Sequence, residues 1–208
     1  MKHYSYSIDN ISQVIICGVD GAGKKELVSV IFPDLPMVLK TKINIRKNTK
    51  KLLFLVVLDG IHLQNIEEEN ILQEISIICN SIKGIKISIL LVLNKIDLIY
   101  NYRKNPYLVE EINDNYNEFL KKFGFSHIWF THFSSFAAKK LHELLSRETD
   151  QEDFDDVKNL LHKVAVHPPQ NTSPSQIRQY LLDNIDTFCE YTGESVIRQY
   201  VSKWNEEQ

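Results

Sequence analysis

The run SQVIICGVDGAGKKELVSVIF, residues 12 to 32, constrains this chain more than any other feature. A β-branched stretch from Ser12 to Gly18 reads as a strand. It passes through closely spaced glycines into a segment of helical composition that Pro33 stops. A chain that leaves a strand through Gly18, Gly21 and Gly23 can curl so that successive N–H groups point at one anion, at the positive end of the helix. The spacing follows the phosphate-binding loop G-x-x-x-x-G-K-[ST]. Gly18 and Gly23 frame it, Asp20, Gly21 and Ala22 lie within it, and Lys24 supplies a point charge to terminal phosphates. The last position departs. Lys25 stands where a hydroxyl would ligate Mg²⁺, and a protonated lysine cannot ligate a metal. We expect Lys25 either to swing outward or to place its ammonium near the metal position.

Downstream, strand and helix patterns alternate. TKINIRKNTKK, from Thr41, reads as an exposed strand turning near Asn48, and KLLFLVVLDG as a continuous apolar strand of the kind buried in the centre of a sheet. Residues 64–83 place Ile66, Ile71, Ile75 and Ile78 near helical spacing, with Glu67, Glu68 and Glu69 as a solvated first turn. The strand KISILLVLNKID follows, then a helix from Tyr107 to Phe123 closed by Gly124. HIWFTHF and FAAKKLHELLSR read as a last strand and helix. This order predicts an α/β fold over residues 1–148, with a mostly parallel sheet flanked by helices. The acidic patch from Glu148 to Asp156 marks its edge. Residues 149–208 read as a helical C-terminal extension: a helix around Phe154 to Val164, the breaker HPPQNTSPS, and a helix capped by Ser173 with Pro174 at its first turn. Ile177, Leu181, Ile185 and Phe188 form one apolar stripe. After Thr192-Gly193, Val196, Ile197, Tyr200, Val201 and Trp204 form another. Tyr200 and Trp204 are candidate aromatic anchors for a protein partner.

Composition narrows the functional classes. The 208 residues are 43% hydrophobic and 25% charged, with net charge −3. That is the profile of a globular chain, with no electrostatic footprint for nucleic acid or an anionic membrane. Cys17, Cys79 and Cys189 are far apart and fit free thiols in a reducing compartment. The histidines lack metal-ligand spacing; His127 and His132 fall on opposite faces of one strand. The longest apolar run, Ile87 to Leu93, is too short to span a bilayer. With neither a signal peptide nor a lipidation motif, the expected compartment is cytoplasm or nucleus.

A second motif sharpens the reading. Asn94-Lys95-Ile96-Asp97 ends the apolar strand ILLVL. Here the sequence resembles the small GTPases, whose N-K-x-D motif stands at this place. The resemblance implies that Asp97 accepts two hydrogen bonds from the guanine edge, that Asn94 steadies neighbouring loops, and that the stem of Lys95 lies along the base. It covers roughly residues 10 to 148. GVDGAGK is most similar to the Arf-like branch, and the Rag-type GTPases share the same general plan. Ser134 and Ser135 fall in the neighbourhood of that family's base-contacting loop.

Other parts of the family pattern are missing. The D-x-x-G motif has only Asp59-Gly60-Ile61-His62 as a candidate, and Gln64 lies outside the frame for positioning a water. Thr41 and Asp59 are the possible switch remnants. The interval to NKID is short by about one strand-plus-helix unit, on the order of 30 residues. KLLFLVVLDG is either the strand before the second switch or the strand after it. Phosphoryl transfer depends on positioning and electrostatics, so these losses predict little turnover while leaving GTP or GDP binding open, with Mg²⁺ short of its hydroxyl ligand. The pattern of loss resembles the centromere protein M family, whose members look like small GTPases without the switch region and serve in a kinetochore complex. This chain departs from that family in keeping GAGK and NKID. Three functions follow as expectations: a pseudo-GTPase scaffold binding other proteins, a divergent Arf-like or Rag-like switch, and a P-loop nucleotide kinase.

Overall fold

The computed structural model describes residues 3–34, 39–40, 42–62, 65–98, 106–125, 128–146 and 173–206. Its strands are β1 (His3–Ser7), β2 (Ser12–Gly18), β3 (Leu39–Lys40), β4 (Lys51–Asp59), β5 (Lys86–Asn94) and β6 (Trp129–His132). They form one sheet in the order β3-β1-β2-β4-β5-β6. β2, β4, β5 and β6 run parallel, as the alternation of strands and helices predicts. The helices are α1 (Lys24–Ile31), α2 (Ile66–Ser81), α3 (Pro106–Lys121), α4 (Ser135–Ser146), α5 (Pro174–Asp183), α6 (Ile185–Thr192) and α7 (Glu194–Glu206). The expected α/β class with a mostly parallel sheet and C-terminal helices is what the chain adopts.

The edge beyond β2 differs from expectation. The N-terminal residues form β1, which pairs antiparallel with β2 and with the short β3. The exposed strand expected over TKINIRKNTKK is replaced by bends and a turn over residues 42–50. The cause is a side chain. The Gln13 amide donates to the Asn44 carbonyl at 2.8 Å, and its oxygen accepts from the Arg46 N–H at 3.1 Å and the Thr49 hydroxyl at 3.0 Å. These bonds satisfy the segment as a loop while β1 takes the ladder.

The chain divides into two compact units, residues Met1–Lys25 with Asp34–His132, and Glu26–Pro33 with Phe133–Gln208. The first holds the sheet. Its core is the buried run Val14 to Cys17 on β2, Leu52 to Leu58 on β4 and Leu90 to Leu93 on β5. On α2 the inward face is Glu68, Ile71, Leu72 and Ile75, whereas Ile66 is 75% exposed. Glu68 therefore departs from the solvated role expected of it. Its carboxylate accepts the Asp59 N–H at 3.0 Å and the Tyr116 hydroxyl at 3.3 Å.

The second unit is helical. Ala137, Leu141 and Leu144 of α4 pack with Leu181 of α5 and with Phe188 and Tyr191 of α6. Gly193 turns between α6 and α7 at φ 81°, a left-handed conformation that suits glycine. Next to it Glu194 is buried, accepting from Arg198 Nε at 2.7 Å and paired with His142 Nε2 at 2.9 Å. Arg198 also donates to the Ile31 carbonyl at 3.2 Å and to that of Val30, capping the end of α1. The helix expected over Phe154 to Val164 and the boundary expected at 148 lie outside the described residues.

Candidate phosphate-binding site

The loop after β2 is shaped by its glycines. Gly21 and Gly23 lie at φ 83° and 85°. Alternation of left-handed with ordinary residues turns successive N–H groups toward one concave side. Gly18, at φ 150°, is demanded by packing as well: a Cβ there would lie 2.1 Å from the Val57 carbonyl oxygen of β4. Within the loop the Ala22 N–H bonds the Val19 carbonyl at 3.3 Å. Among the described residues, the N–H groups of Asp20, Gly21 and Gly23 carry no backbone bond.

Lys24 curls back into the loop. It is 6% exposed, and its ammonium donates to the Gly18 carbonyl at 2.7 Å and to the Val19 carbonyl, with Asp20 Oδ1 at 3.7 Å. Burial pulls its pKa below the ordinary lysine value, and the Asp20 carboxylate opposes that pull. A cation held this way is pre-positioned for an anion. Lys25 is exposed. Cys17 packs beneath the loop, its thiol pushed up to about 12 by burial, as a structural cysteine.

The end of β5 is joined to this loop. Asn94 is fully buried, and its Nδ2 donates to the Ala22 carbonyl at 2.6 Å. Lys95 follows at φ 64°, a left-handed conformation unusual for a lysine. Its ammonium meets Asp59 Oδ2 at 2.8 Å. Asp97 lies in the 3₁₀ turn Ile96–Leu98, and its side chain is outside the described part of the structure.

Asp59 has its own partners. Besides Lys95 it accepts the Ile61 N–H at 3.0 Å and faces His62 Nδ1 at 3.3 Å. Burial alone would raise its pKa, but these hydrogen bonds outweigh it and the net shift is downward. The carboxylate is thus held by β5 and its own turn. Thr41 and Gln64 fall outside the described residues.

The two expected serines belong to the helical unit and are described there. Ser134 is buried and starts α4: its hydroxyl accepts the Ala137 N–H at 3.2 Å, and its own N–H donates to the Thr192 carbonyl at 2.9 Å. Ser135 is buried as the first residue of that helix. Trp204 is 4% exposed and Tyr200 half-buried, so Trp204 packs within the chain instead of standing out as a surface anchor. Glu68 and the Asp59–Lys95 pair escape sequence reading. Only the helical spacing of Glu68 with Ile71, Leu72 and Ile75 signals the first.

Among the described residues, no cluster of three or more His, Cys, Asp or Glu side chains is arranged to hold a metal. Nor, among them, is any helix long and apolar enough to cross a membrane. Comparison with protein-family models and with curated proteins finds no match for this chain. What the fold defines is an α/β protein whose sheet carries a glycine loop and a buried lysine at the start of a helix.

Proposed function

We propose that this chain is a pseudo-GTPase-like scaffold, an adaptor subunit of a multiprotein complex that holds GDP or GTP structurally with little or no hydrolysis. The observation that carries the reading is the buried bond from Asn94 to the Ala22 carbonyl. It joins the two motifs that would have to act together, one at the phosphates and one at the base, and it supports the loop-steadying role that the GTPase resemblance implies for this asparagine.

Two features support weak hydrolysis. Lys25 stands where the loop pattern has a metal-binding hydroxyl, and it is exposed. Asp59, the candidate for the second metal contact, is tied to Lys95 and its own turn. A bound nucleotide would then act as a structural ligand, stabilising the fold by mass action. Trp129, 68% exposed on the end strand β6, is the kind of aromatic a scaffold offers a partner. A kinetochore role like that of centromere protein M fits such a subunit.

The test is release and identification of nucleotide from the purified protein, then calorimetric titration with GDP and GTP, with and without Mg²⁺. Binding at about micromolar Kd without turnover supports the proposal. GTP turnover with different partners in the two nucleotide states would support an Arf-like or Rag-like switch, and phosphoryl transfer to a monophosphate acceptor a kinase. A protein silent to every nucleotide would leave the loop a relic.

A further inference from the structure

His3 lies on β1, beside the strand that feeds the loop. β1 pairs antiparallel with β2, Tyr4 opposite Ile16. One step further along this register puts His3 opposite Cys17, the residue before Gly18. Residues opposite each other in an antiparallel pair point to the same face. His3 is only 2% exposed, and its Nδ1 is buried without a hydrogen-bond partner among the described residues. A buried polar atom left unpaired is costly, so such a group needs an explanation.

The surroundings supply one. The Lys24 ammonium is close enough to act electrostatically on both His3 and Cys17. Burial holds the imidazole below the usual histidine range, and Lys24 adds to that. The ring is therefore neutral at pH 7. Among the described residues its charged and titratable neighbours are Lys24 on the loop, Cys17 on β2 and Lys40 opposite it on β3. None of these is an anion. A phosphate entering the loop would reverse the balance, favouring the protonated ring as it favours the ammonium.

We propose that His3 is a second ligand for the anion in this loop, its Nδ1–H donating to a phosphate oxygen as the ring takes up a proton from solvent. The inference rests on the loop being a phosphate site, and it makes binding of the di- or triphosphate group proton-linked. A polyphosphate is then bound by two cations from the protein, Lys24 and His3, with no metal between.

The experiment is calorimetric titration of the full chain with inorganic pyrophosphate and with GDP, without Mg²⁺, at pH 7.5 in two buffers of different ionisation enthalpy. Wild type, His3→Gln and Lys24→Ala are compared, with the His3 imidazole resonance followed in the wild type. The expected result is proton uptake on binding, a downfield shift of His3, and loss of that uptake in His3→Gln with affinity about ten- to hundredfold weaker. Should His3→Gln fail to fold, the wild-type proton count and resonance decide. Binding that Lys24→Ala abolishes, with no proton uptake and an unmoved His3, overturns the role of His3 and leaves the loop reading standing. No binding of either ligand to the wild type overturns both.

Discussion

The side-chain amide of Asn94 and the carbonyl of Ala22 meet at 2.6 Å in a fully buried position, joining two turns 72 residues apart. Asn94→Ala leaves that carbonyl without its partner. The expected cost is about 1–3 kcal/mol in urea denaturation, together with loss of GDP affinity. Unchanged affinity alongside lowered stability would show the bond to be purely structural.

Gly18 and Gly21 separate two reasons for glycine. At Gly18 an added methyl would collide with β4 backbone, 2.1 Å from Val57 O, and at Gly21 it would meet nothing within 4 Å. Gly18→Ala should cost at least about 3 kcal/mol or prevent folding. Gly21→Ala should cost only about 1–2 kcal/mol, the strain of its left-handed φ. Equal thermal shifts for the two would contradict this account.

Asp59 makes stability depend on acid. Its folded pKa is lowered, so its contribution is fully present above the unfolded value of about 4 and is lost as pH falls through the folded one. Asp59→Asn removes that contribution and should flatten the acid limb of the stability–pH curve. Lys95 then loses its anion, and the variant should be less stable than wild type at pH 7.

Glu194 obeys the same sign. Burial would raise its pKa, but His142 and Arg198 lower it further than burial raises it. Arg198→Ala leaves the carboxylate with His142 and uncaps the Val30 and Ile31 carbonyls. We expect a loss of about 1.5–3 kcal/mol and faster amide exchange at the end of α1. Stability falling without a change in exchange there would place the effect elsewhere.

Lys25→Ser restores the hydroxyl that the loop pattern expects. GDP affinity should then rise about tenfold on adding Mg²⁺, while GTP turnover stays low because Asp59 remains tied to Lys95. A variant whose GDP affinity does not change on adding Mg²⁺ would show that more than one metal contact is missing.

The parts legible in the sequence are those governed by local rules. The apolar runs of β2, β4 and β5 and the glycines of the loop declare themselves by spacing, as does Gly124, at φ 81° after α3. The strand at the N-terminus is only faintly legible: HYSYS alternates tyrosine with serine, a period-2 signal over five residues, whereas its pairing with β2 is set by the tertiary fold. The segment after Thr41 failed for the complementary reason: Gln13 claims its polar groups, and one side chain's bonds to a distant segment have no period. Glu68 runs against expectation because a run of acids at a helix start normally stays in water, whereas this carboxylate is buried and accepts from the Asp59 N–H and the Tyr116 hydroxyl.

By itself the sequence determined the class of fold and the place of the loop, since strand runs, breakers and the glycine spacing act through neighbours a few residues apart. Only the tertiary structure decided what the charged groups do. Lys95 finds Asp59, Glu194 finds His142 and Arg198, and Ser134 starts a helix. A buried charge must be met by whichever partner folding brings within about 3–4 Å, and that distance is set by packing between segments far apart in the chain.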